Sequence, residues 1–301
     1  MFRPVEFQSE GATIRGRLYR STDDHETPRP AVVMAHGITA TVTMVIDRYA
    51  EYFCEAGFVV LLFEHRNFGI SDGEPRREIN PWLQARGYRD ALDFIGTVGG
   101  VDPGRLALWG DSFSGGIAMV AAADEPRVKA LVVQVPACGR SAPEPDPTGE
   151  KYRAIRETLL HGDITGTPET TEGPMPVVSF DQARHPSMLK PLTAYRWFIE
   201  YGGRHMSGWE NDTTRVTPNT PQPFNPVLCA PYINAATLMM VSPDDEMAGS
   251  VPAVSRLAYE SLPGPKEWYD IAGGHFGLVW HPSGLFDEAT RVQRDFLLKS
   301  L

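Results

Sequence analysis

Cysteine is scarce in this 301-residue chain: Cys54, Cys138 and Cys229 are the only three. They form no CxxC pair and cannot all bond to one another, which excludes a disulfide scaffold and argues against a structural zinc site. No run of 18 uncharged apolar residues occurs, so no segment reads as a bilayer span. The opening MFRPVEFQSEGATIRGRLYR has no apolar stretch of the secretory type. Basic side chains are outnumbered, 28 against 38 acidic, leaving a net charge of −10. Nucleic acid and anionic membrane surfaces would repel such a chain. HExxH and other metal-ligand spacings are missing, as are repeats and low-complexity tracts. What is present is a globular composition, 42% hydrophobic and 22% charged. The expectation is a cytoplasmic enzyme with no metal or cofactor and a small-molecule partner; a homodimer is compatible with this reading.

Apolar runs alternate with helical patterns. Pro4–Ser9 and Ala12–Arg20 read as an antiparallel strand pair joined at Ser9–Gly11. Ala31–Ala35, Phe58–Phe63, Leu106–Trp109, Val128–Val135, Thr237–Val241 and Glu267–Ile271 read as further strands. Helices are expected over Met44–Ala56, Pro81–Thr97, Ile117–Ala123, Val251–Leu262 and Leu285–Leu301. Such alternation implies an α/β fold with a mostly parallel, doubly wound sheet. Ligand sites in such sheets lie at the carboxyl ends of strands. His36–Gly37, Glu64–His65, Gly110–Gly116, Ser242–Glu246 and Gly273–His275 all follow strands, so they are expected to cluster.

One stretch interrupts this order. Residues 137–236 hold 13 of the 26 prolines, too many for a regular sheet. They also carry Tyr152, Phe180, Tyr195, Trp197, Phe198, Tyr201, Trp209 and Phe224, which a disordered linker would lack. The segment reads as an inserted lid with helices near Lys151–Leu160 and Leu189–Tyr201. The core is then residues 1–136 and 237–301.

The strongest chemical signal is Leu106-Ala-Leu-Trp-Gly-Asp-Ser-Phe-Ser-Gly-Gly116. A strand enters a tight turn and a small-residue helix leaves it. This shape lifts a serine hydroxyl clear of the sheet and sets a helix N-terminus behind it. Gly110 and Ser114 are the small neighbours of Ser112, although the usual G-x-S-x-G has Gly where Ser114 stands. The competing register makes Ser114 the nucleophile; the strand's end at Gly110 favours Ser112.

A serine needs a base, and the base needs an orienting acid, in the chain order Ser, acid, His. His275, after two glycines and the last strand, supplies the base. His36 and His65 end strands and read as local hydrogen-bonding groups, while His25, His161, His185, His205 and His281 fall in polar or lid segments. The acid comes from Asp244, Asp245 and Glu246; Asp245 is favoured by its reach, with the other two capping the next segment or facing water. Two backbone donors must receive the oxyanion. They are expected to be the N–H of Phe113 and that of Ile38, in the loop His36–Gly37 shapes. Asp111, a carboxylate beside the nucleophile, would oppose an oxyanion and is expected to point away and cap the helix.

These residues in this order resemble the serine hydrolases of the α/β-hydrolase superfamily. Glu64-His-Arg-Asn-Phe-Gly-Ile-Ser-Asp-Gly-Glu-Pro75, Asn80-Pro-Trp82, Gly208-Trp-Glu-Asn211 and Gly274-His-Phe-Gly277 are similar to a narrower branch. That branch lies near the X-Pro dipeptidyl-peptidase-like and dienelactone-hydrolase-like proteins and includes polyketide thiohydrolases and acyl transferases. The resemblance implies an acyl-enzyme formed from an ester, thioester or amide. Members that open epoxides or remove halide carry Asp at the nucleophile position, and dienelactone hydrolases proper carry Cys; Ser112 argues against both.

Three readings follow: a hydrolase, an acyl transferase using the same triad, or a non-catalytic binding protein on this fold. The lid aromatics imply a largely apolar acyl pocket or the lid's own core. Arg66, Arg76, Arg77, Arg86 and Arg89 read as a solvated face, or as a receptor for a substrate carboxylate or pantetheine phosphate.

Overall fold

The wholly apolar runs form strands buried on both faces, as parallel strands between two helix layers must be. In this computed structural model, which describes residues 2–21 and 27–301, His25 lies outside the described residues. The chain begins with β1 (Phe2–Ser9), β2 (Ala12–Tyr19), β3 (Arg29–Ala35), α1 (Ile46–Glu55) and β4 (Val59–Phe63). It continues through β5 (Glu78–Ile79), α2 (Pro81–Gly96), β6 (Val101–Asp111), α3 (Phe113–Ala122) and β7 (Val128–Gln134). Next come α4 (Glu150–His161), β8 (Pro168–Met175), α5 (Leu192–Gly202), β9 (Thr213–Pro218) and α6 (Pro226–Cys229). It ends with β10 (Ala236–Val241), α7 (Pro252–Ser261), β11 (Lys266–Asp270) and α8 (Gly284–Ser300).

The main sheet has eight strands in the order β1-β2-β4-β3-β6-β7-β10-β11. Only the β1–β2 and β2–β4 pairs are antiparallel; the rest are parallel. One face packs on α2, α3, α4, α6 and α7 through residues such as Tyr88, Ile117, Ile155 and Val254. The other packs on α1, α5 and α8 through Phe53, Trp197 and Phe296. The 137–236 segment thus contributes helices to both layers. Local signals mark the element ends. Asn80 caps α2 by accepting from the N–H groups of Trp82 and Leu83, with Pro81 at the first helical position. Gly57 ends α1 at φ 102°, where a side chain would be strained.

Two expectations require correction. The proline-rich segment does contain sheet: β8 and β9 pair antiparallel, and β9 pairs with β5 of the core. Its prolines sit where no ladder hydrogen bond is lost. Pro168 opens β8, Pro218 closes β9, and Pro174 falls in a register irregularity between Glu172 and Met175. Helix α3 also starts at Phe113 rather than Ile117, because Gly115 and Gly116 are helical residues chosen for close approach. A Cβ at Gly116 would stand 2.5 Å from the carbonyl oxygen of Ala137. Among the described residues, no helix is long and apolar enough to cross a membrane.

Candidate active site

The strand-following loops converge at the carboxyl edge of the sheet, where Ser112 occupies the turn between β6 and α3. Its backbone has φ 54° and ψ −117°, a strained conformation for a residue with a side chain. Four hydrogen bonds hold it: its N–H donates to Gln134 O at 2.9 Å, and its carbonyl accepts from Gly115, Gly116 and Ala137. The turn needs Gly110, whose added Cβ would lie 2.3 Å from Ser114 O.

Ser112 Oγ is 2.8 Å from His275 Nε2, and His275 Nδ1 is 2.7 Å from Asp245 Oδ2. The His275 and Asp245 side chains are almost fully shielded from solvent. Asp245 Oδ1 accepts the N–H of Met247 at 2.9 Å, which fixes the carboxylate plane. A serine, an imidazole and a carboxylate in this chain of contacts can move a proton from hydroxyl to imidazole while the carboxylate holds the ring. Phe113 opens α3, so its N–H has no intrahelical acceptor, and Ile38 lines the same cleft as Ser112.

A family model described as "Serine aminopeptidase, S33" matches residues 26–162. The chain is 31% identical to a thiohydrolase, aneE, of Aspergillus aculeatus, over 98% of this chain and 94% of the relative. The chain belongs to the α/β-hydrolase superfamily of serine hydrolases. It is also 29% identical to an acyltransferase, drtE, of Aspergillus calidoustus, over 99% of this chain and 95% of that one. Among solved structures, the α/β hydrolase GrgF of a Penicillium species superposes with a TM-score of 0.73 at 25% identity, covering 100% of this chain and 99% of that one.

The two serines of this turn differ in burial. Ser114 is fully buried; its hydroxyl donates to His36 O and stands 2.8 Å from His65 Nε2. The expectation that His65 bonds only locally is corrected, since Ser114 is 49 residues away. The acidic triplet is also sorted. Asp244 is exposed, whereas Glu246 neither caps a helix nor simply faces water. Glu246 Oε2 accepts the N–H of His275 at 2.9 Å, and Oε1 accepts the hydroxyl of Thr193 from the insertion. Burial alone would raise the Glu246 carboxyl, but these two donors hold it below its ordinary value.

Beneath the Ile38 loop lies a polar cluster that sequence reasoning missed. His36 Nδ1 donates to Gly37 O at 2.8 Å, so Nε2 carries the lone pair and accepts the N–H of His65 at 3.1 Å. Glu64 Oε2 is 3.2 Å from that same Nε2, and Oε1 accepts the N–H of Val42. Burial pushes Glu64 up to about 8 and His36 down to about 4, so both are neutral near pH 7. Glu64 Oε2 makes no hydrogen bond among the described residues, since the one lone pair of His36 Nε2 is taken by the His65 N–H. The visible signal was the polar pair Glu64–His65 directly after an all-apolar strand.

Asp111 does not cap α3, contrary to the sequence reading; it lines the cleft, and Gln134 Nε2 donates to its Oδ1 at 2.7 Å. Burial raises it to about 6 despite the opposing effect of His275. The other walls of the cleft include Ile38, Leu189, Trp197, Phe198, Phe276 and Val279. The aromatics of residues 137–236 divide: Trp197 and Phe198 line this cleft, while Tyr152 stacks on Tyr232 and Phe224 meets Trp82 edge-on. Three of the five arginines named from the sequence are engaged by protein groups. Arg86 is spent on the carbonyls of Leu159, Thr158 and Gly162, Arg76 on those of Ser71 and Gly69, and Arg77 on Asp212 and Glu210.

Proposed function

We propose that this serine hydrolase cleaves an ester or thioester of a largely apolar acyl group through an acyl-enzyme on Ser112. Ser112 Oγ attacks the carbonyl carbon as its proton passes to His275 Nε2. The N–H groups of Ile38 and Phe113 receive the oxyanion, and Asp245 stabilises the imidazolium through Nδ1. The tetrahedral intermediate collapses, the leaving thiol or alcohol takes the proton from His275, and Ser112 keeps the acyl group. Water, deprotonated by the same imidazole, then attacks the ester and frees the acid.

The observation that carries this reading is the unbroken Ser112–His275–Asp245 contact chain at the floor of an apolar cleft. Thioester cleavage is supported by the thiohydrolase among its relatives. We also propose that residues 137–236 act as a cap, since Leu189, Trp197 and Phe198 form one wall of the cleft. A cytoplasmic setting fits three cysteines that are all free and buried. A second reading, transfer of the acyl group to an alcohol or amine, is favoured by the acyltransferase relative and by walls that would exclude water.

The test is a fluorophosphonate followed by intact mass measurement. One adduct on the wild type and none on Ser112→Ala is expected; an undiminished adduct on that variant rejects the nucleophile. Product analysis of an octanoyl thioester with a competing alcohol separates hydrolysis from transfer.

A further inference from the structure

Beside Ser112, the cleft contains a carboxylate that the reaction just described does not use. Asp111 is 8% exposed, and its Oδ1 is the end of a buried ladder. Trp109 Nε1 donates to Gln293 Oε1, Gln293 Nε2 to Gln134 Oε1, and Gln134 Nε2 to Asp111 Oδ1, each at 2.7 Å. An indole N–H can only donate, so it sets the direction of every amide in the ladder. Asp111 must therefore accept at Oδ1. Asp111 Oδ2 has no hydrogen-bond partner among the described residues, yet it is not sealed from solvent.

For receiving Gln134, an asparagine oxygen would serve as well, without the cost of desolvating a charge. The second oxygen is what asparagine could not supply. That oxygen stands over Gly37: a Cβ built there would be 2.9 Å from Asp111 Oδ2 and 3.6 Å from Ser112 Cβ. Gly37 immediately precedes the oxyanion donor Ile38. Oδ2 is thus an acceptor placed close to where the scissile carbonyl sits, in a cleft whose walls beyond Ser112 and His275 are largely apolar.

Building on the reading of Ser112 as nucleophile, we infer that Asp111 is a specificity residue that accepts a hydrogen bond from a hydroxyl near the acyl carbonyl, selecting 3-hydroxyacyl substrates. A 3-oxo group offers only an acceptor and is repelled by Oδ2. A plain alkyl chain leaves the carboxylate desolvated and unpaired.

The experiment measures how well 3-hydroxyoctanamide, octanamide and 3-oxooctanamide protect Ser112 from a fluorophosphonate, alongside kcat/KM for the matching N-acetylcysteamine thioesters. In the wild type the 3-hydroxy compound is expected to be favoured about tenfold or more, the size of one charge-assisted hydrogen bond. In Asp111→Asn the ladder keeps the amide oxygen on Gln134 and turns an N–H into the cleft, so the 3-oxo compound becomes the favoured one. In Asp111→Ala the three compounds converge. Ratios are taken within each enzyme, so a general loss of activity cancels. If Asp111 only stabilises the His275 imidazolium, all substrates slow alike and the ratios do not move, which overturns the proposal. Absence of wild-type labelling would instead reject Ser112 as nucleophile, so the two failures are distinct.

Discussion

Glu246 accepts the backbone N–H of His275 at 2.9 Å while the adjacent Asp245 takes the ring Nδ1 of the same histidine. Two consecutive carboxylates therefore hold one residue, the first by its ring and the second by its main chain. Thr193 joins the second from within residues 137–236, so the loop carrying His275 is tied to that segment. Gly274, at φ 67°, approaches Glu246 so closely that a Cβ would lie 2.7 Å from its Oε2.

Glu246→Ala should release the His275 loop and lower kcat about ten- to hundredfold, the cost of a small misplacement of a reacting group. Thr193→Val should lower it by less, since the His275 N–H keeps its acceptor. Steady-state kinetics on an octanoyl thioester check both, and equal rates for all three proteins would show that Glu246 does not position the base.

Ser114→Ala should leave Ser112 labelling intact but cost about 1–3 kcal/mol of stability, because His36 O and His65 Nε2 lose a buried partner. Thermal denaturation reads the second effect and mass spectrometry the first. Loss of labelling with full stability would restore Ser114 as a candidate nucleophile.

The pair Glu64 and His36 sets a pH dependence of stability. Glu64 moves from 4.5 to about 8 on folding, so the folded state binds more protons than the unfolded one between those values. Its contribution is complete below 4.5 and is lost as pH rises toward 8. His36 moves from 6.5 to about 4, and His65 is likewise held well below 6.5. Both add stability as pH rises to 6.5 and nothing further beyond it. Above 6.5 the Glu64 slope stands without theirs. Glu64→Gln, whose amide oxygen can still accept the N–H of Val42, should therefore gain on the wild type between pH 6.5 and 8, by up to about 1.4 kcal/mol per pH unit. Chemical denaturation at several pH values would measure this; parallel curves would mean that Glu64 is ionised in the folded protein.

Phe198→Ala removes part of the apolar wall. KM for an octanoyl ester should rise about tenfold relative to an acetyl ester, in line with the lost burial. A matching rise for both esters would place the acyl chain elsewhere.

The parallel core was legible because strands buried on both faces must be apolar throughout, as in Val59–Phe63, and because Gly57 and Asn80 mark helix ends chemically. The turn around Ser112 was legible for a similar reason: glycines are required where backbones touch, and Gly110 and Gly116 do touch carbonyls. The β8–β9 sheet was hidden because proline counts ignore position, and those prolines fall at strand ends and an irregularity. Asp111 was misread because a helix cap needs only local geometry, whereas its partner Gln134 is held in place by Gln293 from the far end of the chain. A lone glutamine within the apolar run Val128–Val135 was the available clue.

The layers and the chain order of the loops that bear Ser112, Asp245 and His275 were readable from the sequence, since periodicity and turn chemistry act over a few residues. Which serine is accessible, which carboxylate meets the imidazole and what Asp111 faces were decided only by tertiary structure. Those outcomes depend on burial and on side chains brought together from distant strands, and no local pattern encodes such distances.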